Sequence, residues 1–271
     1  MIIIVITNKD ILREVIKISV EAGEIIIDLY KNSDIDIQLK NDESPLTRAD
    51  ISSNNHIINR IKKLTPEIPI LSEESKRFTL QERSRWKEYW LIDPLDGTKE
   101  FINRNGEFTV NIALISNNRP TFGVIHIPVS HETYWGHQDY GSYFINSDSE
   151  ERKISVNKRN RKKIRVTASR SHNNSKLTDF LNNIVDYEIL YAGSSLKFCL
   201  IARGLADIYP RLSPTSEWDI AAGEAILLNA GGKLLTLSNK EISYNKSIDF
   251  INPSFIASNN LLYMKNSNEN I

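Results

Sequence analysis

The chain has 271 residues, enough for one large domain or two modest ones. Its 34 basic and 34 acidic side chains cancel, so no global field draws it to nucleic acid or an anionic membrane, and any anion site must be local. Cys199 is the only cysteine, which excludes an internal disulfide and suits a reducing, cytoplasmic compartment. Residues 1–6 are apolar but too short to cross a bilayer, and they lack the basic start and cleavage site of a signal peptide. They read as a strand or a lead-in to the first helix. Ile11, Val15, Ile18, Ala22, Ile25 and Leu29 recur at spacings of four and three, which predicts an amphipathic helix capped by Asn8 or Asp10. Residues 38–48 are polar, contain Pro45, and read as a loop. A weaker helix is expected from about Asp50 through Ile57, Ile61 and Leu64. A short buried strand, 68–71, ends at Ser72-Glu73-Glu74, and polar residues 78–89 suggest a surface helix or loop.

Residues 90–98 read Trp-Leu-Ile-Asp-Pro-Leu-Asp-Gly-Thr. Trp90, Leu91 and Ile92 have strand character, and Pro94, lacking a backbone donor, is expected to stop the ladder. Asp93 and Asp96 then stand close together at the end of a buried strand and repel each other. A hard divalent cation compensates such a pair, because magnesium takes carboxylate, carbonyl and water oxygens. Gly97 and Thr98 offer backbone N–H groups to an anion, as a helix start does. Two consecutive turns would explain any single pair of these residues. The whole string after an apolar strand favours a site in which metal and phosphate meet. The haloacid dehalogenase motif places its two aspartates two residues apart, whereas here they are three apart with Pro94 between them.

Beyond the motif, runs at 109–115 and 121–127 flank a turn at 117–120 and predict a hairpin. Runs at 132–135 and 141–145 predict another, and 146–153 reads as a junction between halves. From there strands at 164–168, 188–191, 207–209 and 233–237 alternate with helices at 177–183, 195–203 and 219–230, an α/β pattern. Asp219, after Trp218, is at least a helix cap. Gly193, Ser194 and Ser195 precede a helix carrying Lys197, a second place where an anion could sit. No zinc spacing, G-x-S-x-G elbow, phosphate-binding P-loop or dinucleotide fingerprint is present. The basic run 158–165 has no interleaved aromatics and reads as a solvated loop.

The order Asp50, Glu73-Glu74, Asp93 to Thr98, Trp218-Asp219 and Gly231-Gly232 resembles the lithium-sensitive, magnesium-dependent phosphatase superfamily of inositol monophosphatases and fructose bisphosphatases. The resemblance spans nearly the whole chain. Three stretches make it most similar to the CysQ-type 3'(2'),5'-bisphosphate nucleotidases: residues 97–101, residues 193–199, and Tyr209-Pro210-Arg211. Near Arg211 the inositol-directed relatives carry a carboxylate for sugar hydroxyls. A guanidinium there suits a second phosphate, which it pairs in a fork.

The resemblance implies an α/β (α+β) fold, a layered α/β/α/β/α sandwich. It implies an N-terminal half, 1–153, with most metal ligands, and a C-terminal half, 154–271, with the substrate pocket. It implies two or three Mg²⁺ per active site. Glu73, Asp93 and the Leu95 carbonyl would hold one, and Asp93, Asp96 and Asp219 a second. Thr98 and Asp50 would orient and deprotonate a water, with Glu74 as a further acid or ligand. Gly97 and Thr98 would hold the reacting phosphoryl group, and Gly193, Ser194, Lys197, Arg211 and Asp219 the nucleotide. The implied reaction takes adenosine 3',5'-bisphosphate to AMP and phosphate, recycling a by-product of sulfate activation. A sugar phosphatase and a non-catalytic anion-binding relative are the alternatives. The implied partner is a small nucleotide rather than nucleic acid. The expected state is a monomer or homodimer in the cytoplasm, without an integral membrane segment, with room for loose association at the inner membrane.

Overall fold

The computed structural model describes residues 8–31, 37–39, 45–75, 78–159, 161–169, 175–184 and 186–260. The expected lead-in at 1–6 lies outside them. In chain order the elements are α1 (Lys9–Lys31), β1 (Ile37–Leu39), β2 (Pro45–Thr47), α2 (Arg48–Leu64), β3 (Ile70–Ser72), α3 (Leu80–Arg83), β4 (Glu88–Asp96), α4 (Thr98–Ile102), β5 (Thr109–Ser116), β6 (Arg119–Ile127), β7 (Glu132–His137), β8 (Gly141–Ile145) and β9 (Glu151–Ile154). They continue with β10 (Ile164–Ala168), α5 (Ser175–Leu181), β11 (Tyr187–Tyr191), α6 (Leu196–Ala202), β12 (Ile208–Arg211), α7 (Glu217–Asn229), β13 (Lys233–Thr236) and β14 (Phe255–Ser258).

Strands β3 to β9 form a seven-stranded sheet in sequential order, antiparallel except for the β3–β4 pair. Its central strands are apolar on both faces, because each face meets a helical layer. Trp90, Ile92, Ile112, Leu114, Phe122 and Val124 point to the α1–α2 layer. Their alternate neighbours Tyr89, Leu91, Ala113, Ile115 and Ile125 point to the layer of α6 and α7. Each buried Leu, Ile or Val contributes about 1.5–3 kcal/mol of transfer free energy.

The second sheet runs β11-β10-β12-β14-β13. Tyr209, Leu234, Phe255 and Ala257 face the shared middle layer, and Val166, Ile164 and Ile208 face α5. The result is the expected five-layer α/β/α/β/α order. Helix α7 is apolar all round because it lies between two sheets. It approaches β6 so closely that a Cβ on Gly123 would meet the backbone of Ala222 at 2.4 Å.

Several expectations are corrected. Pro94 does not end β4. Asp93 pairs with Asn111 and Asp96 with Thr109, so three steps on β4 match two on β5, and the extra residue is accommodated as a bulge around Pro94. The stretch 38–48 is not all loop: β1 and β2 pair antiparallel, and α2 begins at Arg48, capped by Thr47. The polar stretch 78–89 holds a fully buried side chain, Arg83, which donates to Asn245 Oδ1 at 2.6 Å and stacks over the Phe250 ring at 4.1 Å. The junction at 146–153 becomes a turn followed by the edge strand β9. Strand β14 is not predicted by periodicity. Asn8 rather than Asp10 caps α1, accepting from the Asp10 N–H at 2.8 Å.

Candidate active site

The site forms where β3 and β4 end beside the first turns of α6 and α7. Parallel pairing continues one residue past β3, with the Glu73 N–H donating to the Ile92 carbonyl at 3.1 Å, so Glu73 sits beside Asp93. Asp219 comes from the first turn of α7, where one of its oxygens accepts from the Ser216 N–H at 2.9 Å in a capping box. One oxygen each from Glu73, Asp93 and Asp219 lie within 4.8 Å of one another. Burial, then repulsion from Glu73, Asp96, Asp219 and Glu74, pushes the Asp93 carboxyl well above the usual carboxylate range. Burial, then Asp96 and Glu73, does the same to Asp219. Such a cluster suits a divalent cation, since a shared cation converts mutual repulsion into attraction.

The expected Thr98–Asp50 pair is present: Thr98 Oγ1 donates to Asp50 Oδ1 at 3.0 Å. The other carboxylate oxygen of Asp50 accepts from Thr47 N at 2.7 Å and Thr47 Oγ1 at 2.5 Å. Leu95 is buried, its N–H donating to Asp93 Oδ1 at 3.2 Å and its carbonyl 3.5 Å from Thr98 Oγ1. Asp96 stands apart from the three clustered carboxylates in its bonding. Its Oδ2 lies 2.8 Å from Ser195 Oγ and 3.3 Å from Asn111 Nδ2.

From this acidic end a cleft runs past Asp96, Gly97, Ser194, Lys197, Arg211 and Asp219. Gly97 has φ +94°, and a Cβ there would strike Ser194 Oγ, so this corner admits only glycine. Ser194 itself sits in the left-handed region at φ +42°. Its hydroxyl lies 2.8 Å from the Asp96 carbonyl and 2.7 Å from the Glu107 carbonyl. The Gly193 N–H donates to Glu107 Oε2 at 2.8 Å. Gly193 and Ser194 thus clip the β4–β5 connection to the start of α6, and Ser194 also lines the cleft.

Lys197 is buried, with its ammonium donating to the Ala192 and Ser194 carbonyls at 3.1 and 2.6 Å. Burial pushes its pKa down to about 8, Asp96 pulls it up, and Arg211 pushes it down. Arg211 donates one bond to the Pro214 carbonyl at 3.0 Å, while its Nε has no partner among the described residues. Asn111, Glu107 and Thr47 escaped sequence reading, and Ser195 reads only as part of a helix start suited to an anion. Of those three only Thr47 carried a local signal, the Thr47-x-x-Asp50 capping box.

The model of the inositol monophosphatase family matches residues 8–270. The chain belongs to that family. Within the inositol monophosphatase family it is 41% identical over 245 residues to the 3'(2'),5'-bisphosphate nucleotidase CysQ of Salmonella typhimurium, covering 90% of this chain and 98% of that one. It is 40% identical over 248 residues to the CysQ of Escherichia coli, covering 91% and 99%. The crystal structure of CysQ from Bacteroides thetaiotaomicron superposes with a TM-score of 0.81 at 34% identity, over 93% of this chain and 98% of that one. An inositol monophosphatase from Thermotoga maritima shares the fold at a TM-score of 0.76 and 24% identity, over 92% of each chain. Among the described residues no helix is long and apolar enough to cross a membrane.

Proposed function

We propose that the chain is a Mg²⁺-dependent phosphatase that removes the 3'-phosphate of adenosine 3',5'-bisphosphate, releasing AMP and phosphate. One observation carries the choice of substrate. A single cleft is lined by two carboxylates of the acidic group, Asp96 and Asp219, and by two cations, Lys197 and Arg211, close enough that Arg211 pushes the Lys197 pKa down. Like charges so placed repel, and an anion between them relieves both. The cleft thus suits a ligand with two separate phosphates, in keeping with the names of the relatives that are 40–41% identical.

Glu73, Asp93, Asp96, Asp219 and the Leu95 carbonyl are the groups that would hold Mg²⁺, with two or three ions to a site. Glu74 adds to the field they make. When bound, the metal supplies charge neutralisation at the phosphoryl oxygens, a more acidic water and stabilisation of the leaving oxygen.

The remaining work belongs to the chain. Because Thr98 Oγ1 gives its own proton to Asp50, its lone pairs are left as acceptors. A water that attacks phosphorus passes its proton to Thr98 Oγ1, while the Thr98 proton moves to Asp50 Oδ1. The P–O bond to the ribose 3'-oxygen breaks with its electron pair going to that oxygen, which takes up a proton from a neighbouring water to become the 3'-hydroxyl, offsetting the proton given to Asp50. The backbone N–H groups of Gly97 and Thr98 hold the transferring phosphoryl group. Arg211 holds the 5'-phosphate in a fork, with Lys197 beneath as a buried positive charge. The C-terminal half thereby supplies specificity and the N-terminal half most of the chemistry. The enzyme works as a monomer or homodimer in the cytoplasm. Phosphate release from adenosine 3',5'-bisphosphate, abolished by EDTA and restored by Mg²⁺, tests this reading.

A further inference from the structure

Ser195 lies where three elements of the site meet. Its Oγ is 2.8 Å from Asp96 Oδ2 at the end of β4 and 2.7 Å from the Asp219 carbonyl in the first turn of α7. It accepts from Asn111 Nδ2 of β5 at 2.9 Å. Asn111 is oriented in turn, because its Oδ1 accepts from Thr109 Oγ1 at 2.9 Å. Ser195, Asn111 and Thr109 are all buried, at 2%, 1% and 0% exposure.

The bonds have a direction. Thr109 donates to Asn111 and Asn111 donates to Ser195, so the Ser195 proton is available to Asp96 or to the Asp219 carbonyl. A serine hydroxyl has one proton, which these two acceptors, at 2.8 and 2.7 Å, share in a three-centre bond. Without the hydroxyl, Asp96 Oδ2 keeps only the longer 3.3 Å bond from Asn111, and the Asp219 carbonyl loses this donor. The shorter of the two bonds that fix the Asp96 carboxylate would then be gone.

We propose that Ser195 is a positioning residue for the metal centre: it locks the Asp96 carboxylate and ties it to the α7 turn that carries Asp219, so that both are set before a cation arrives. This rests on the reading of Asp96 and Asp219 as metal-holding groups. It gives a purpose to a buried polar chain, Thr109–Asn111–Ser195, none of which lines the cleft. Carboxylates that ligate metals are themselves held by hydrogen bonds, and losing such a support typically weakens metal binding about 10–100-fold.

The test is calorimetric titration of the full chain with Mg²⁺ alone, without substrate. It compares the native protein, Ser195→Ala, Ser195→Thr, Asp96→Asn and the double variant Ser195→Ala with Asp96→Asn. Ser195→Ala should weaken Mg²⁺ binding about tenfold or more. Ser195→Thr, which keeps the hydroxyl, should restore most of the affinity. In the Asp96→Asn background the serine substitution should change affinity by no more than about twofold, the ordinary scatter of independent sites. In turnover, Ser195→Ala should need more Mg²⁺ for half-activation, with an unchanged KM at saturating Mg²⁺. Native-like Mg²⁺ affinity in Ser195→Ala, an equal loss in both backgrounds, or a metal-free chain melting far below the native one would each overturn the proposal. A native chain that neither binds Mg²⁺ nor releases phosphate would instead overturn the functional reading itself, and this inference with it.

Discussion

Thr98 Oγ1 donates to Asp50 Oδ1 at 3.0 Å, joining the first residue of α4 to the first turn of α2. Both oxygens of Asp50 are accounted for, because Thr47 donates to Oδ2 from its backbone and its hydroxyl. The carboxylate is thus fixed as an acceptor, and under the proposed mechanism Thr98 would be the link through which a proton from the cleft reaches it. Thr98→Ala and Asp50→Asn should each lower kcat by about 10²–10⁴-fold, the usual range for a general base, with little change in KM. Because the two act as one unit, the double variant should lose hardly more than either single one. Additive losses, measured in a double-mutant cycle on kcat, would refute a shared proton path.

The carboxylate cluster makes a prediction about stability as well as rate. Asp93 and Asp219 are held protonated above their ordinary range. Between the unfolded and folded pKa values the folded chain binds more protons than the unfolded one, so metal-free stability falls as pH rises through that window. Asp93→Asn should therefore raise the metal-free Tm, by about 2–4 °C for each kcal/mol of repulsion relieved. It should also abolish stabilisation by Mg²⁺ and lower kcat at least about a hundredfold. Melting curves with and without Mg²⁺ at pH 5 and pH 8 check this. The native shift should be larger at pH 8, where the carboxylates are more fully charged.

Arg211 should discriminate between substrates. Truncating one partner of a buried charge pair costs about 2–5 kcal/mol, so Arg211→Ala should cut kcat/KM for adenosine 3',5'-bisphosphate roughly 30-fold to several-thousand-fold. The monophosphate 3'-AMP lacks the distal group and should lose far less. Equal losses on both substrates would place Arg211 on the reacting phosphate or in the fold.

Much of this arrangement is legible in the sequence. The strand-end carboxylates, the Thr98–Asp50 pair and the five-layer order all follow from local patterns or from resemblance. Three things are not. The bulge at Pro94 reads as a strand end, because a missing donor looks the same in sequence whether pairing stops or skips a residue. The buried Arg83 sits in a stretch whose polarity reads as surface, and only the folded loop carrying Asn245, Ser247 and Phe250 reveals what receives it. Gly193, Ser194 and Ser195 carry the right residues for an anion site. Their partners, Glu107, Asp96 and Asn111, are 84 to 99 residues away in the chain, a distance no periodicity reports.

Lys197 sets a pH limit. Its pKa of about 8 means that the free enzyme loses this charge as pH rises past 8. A group whose pKa lies below its ordinary value becomes neutral sooner, so binding of the distal phosphate weakens on the alkaline side. kcat/KM for the bisphosphate should fall above about pH 8 by up to tenfold per unit, since that ratio reports the free enzyme. Lys197→Arg, where it folds, should move the descending limb to higher pH. A flat profile between pH 7 and 10 would show that the charge at Lys197 does not serve binding.

The central claim is that one cleft joins a metal-binding carboxylate cluster to a pair of cations for a second phosphate. Phosphate release from adenosine 3',5'-bisphosphate and inositol 1-phosphate, assayed side by side with Mg²⁺ and with EDTA, tests it most directly. The bisphosphate should be hydrolysed with a kcat/KM higher by about 30-fold or more, the least that a buried ion pair is expected to contribute, and neither substrate should react in EDTA. Preference for inositol 1-phosphate, or turnover that persists without divalent metal, would contradict the account.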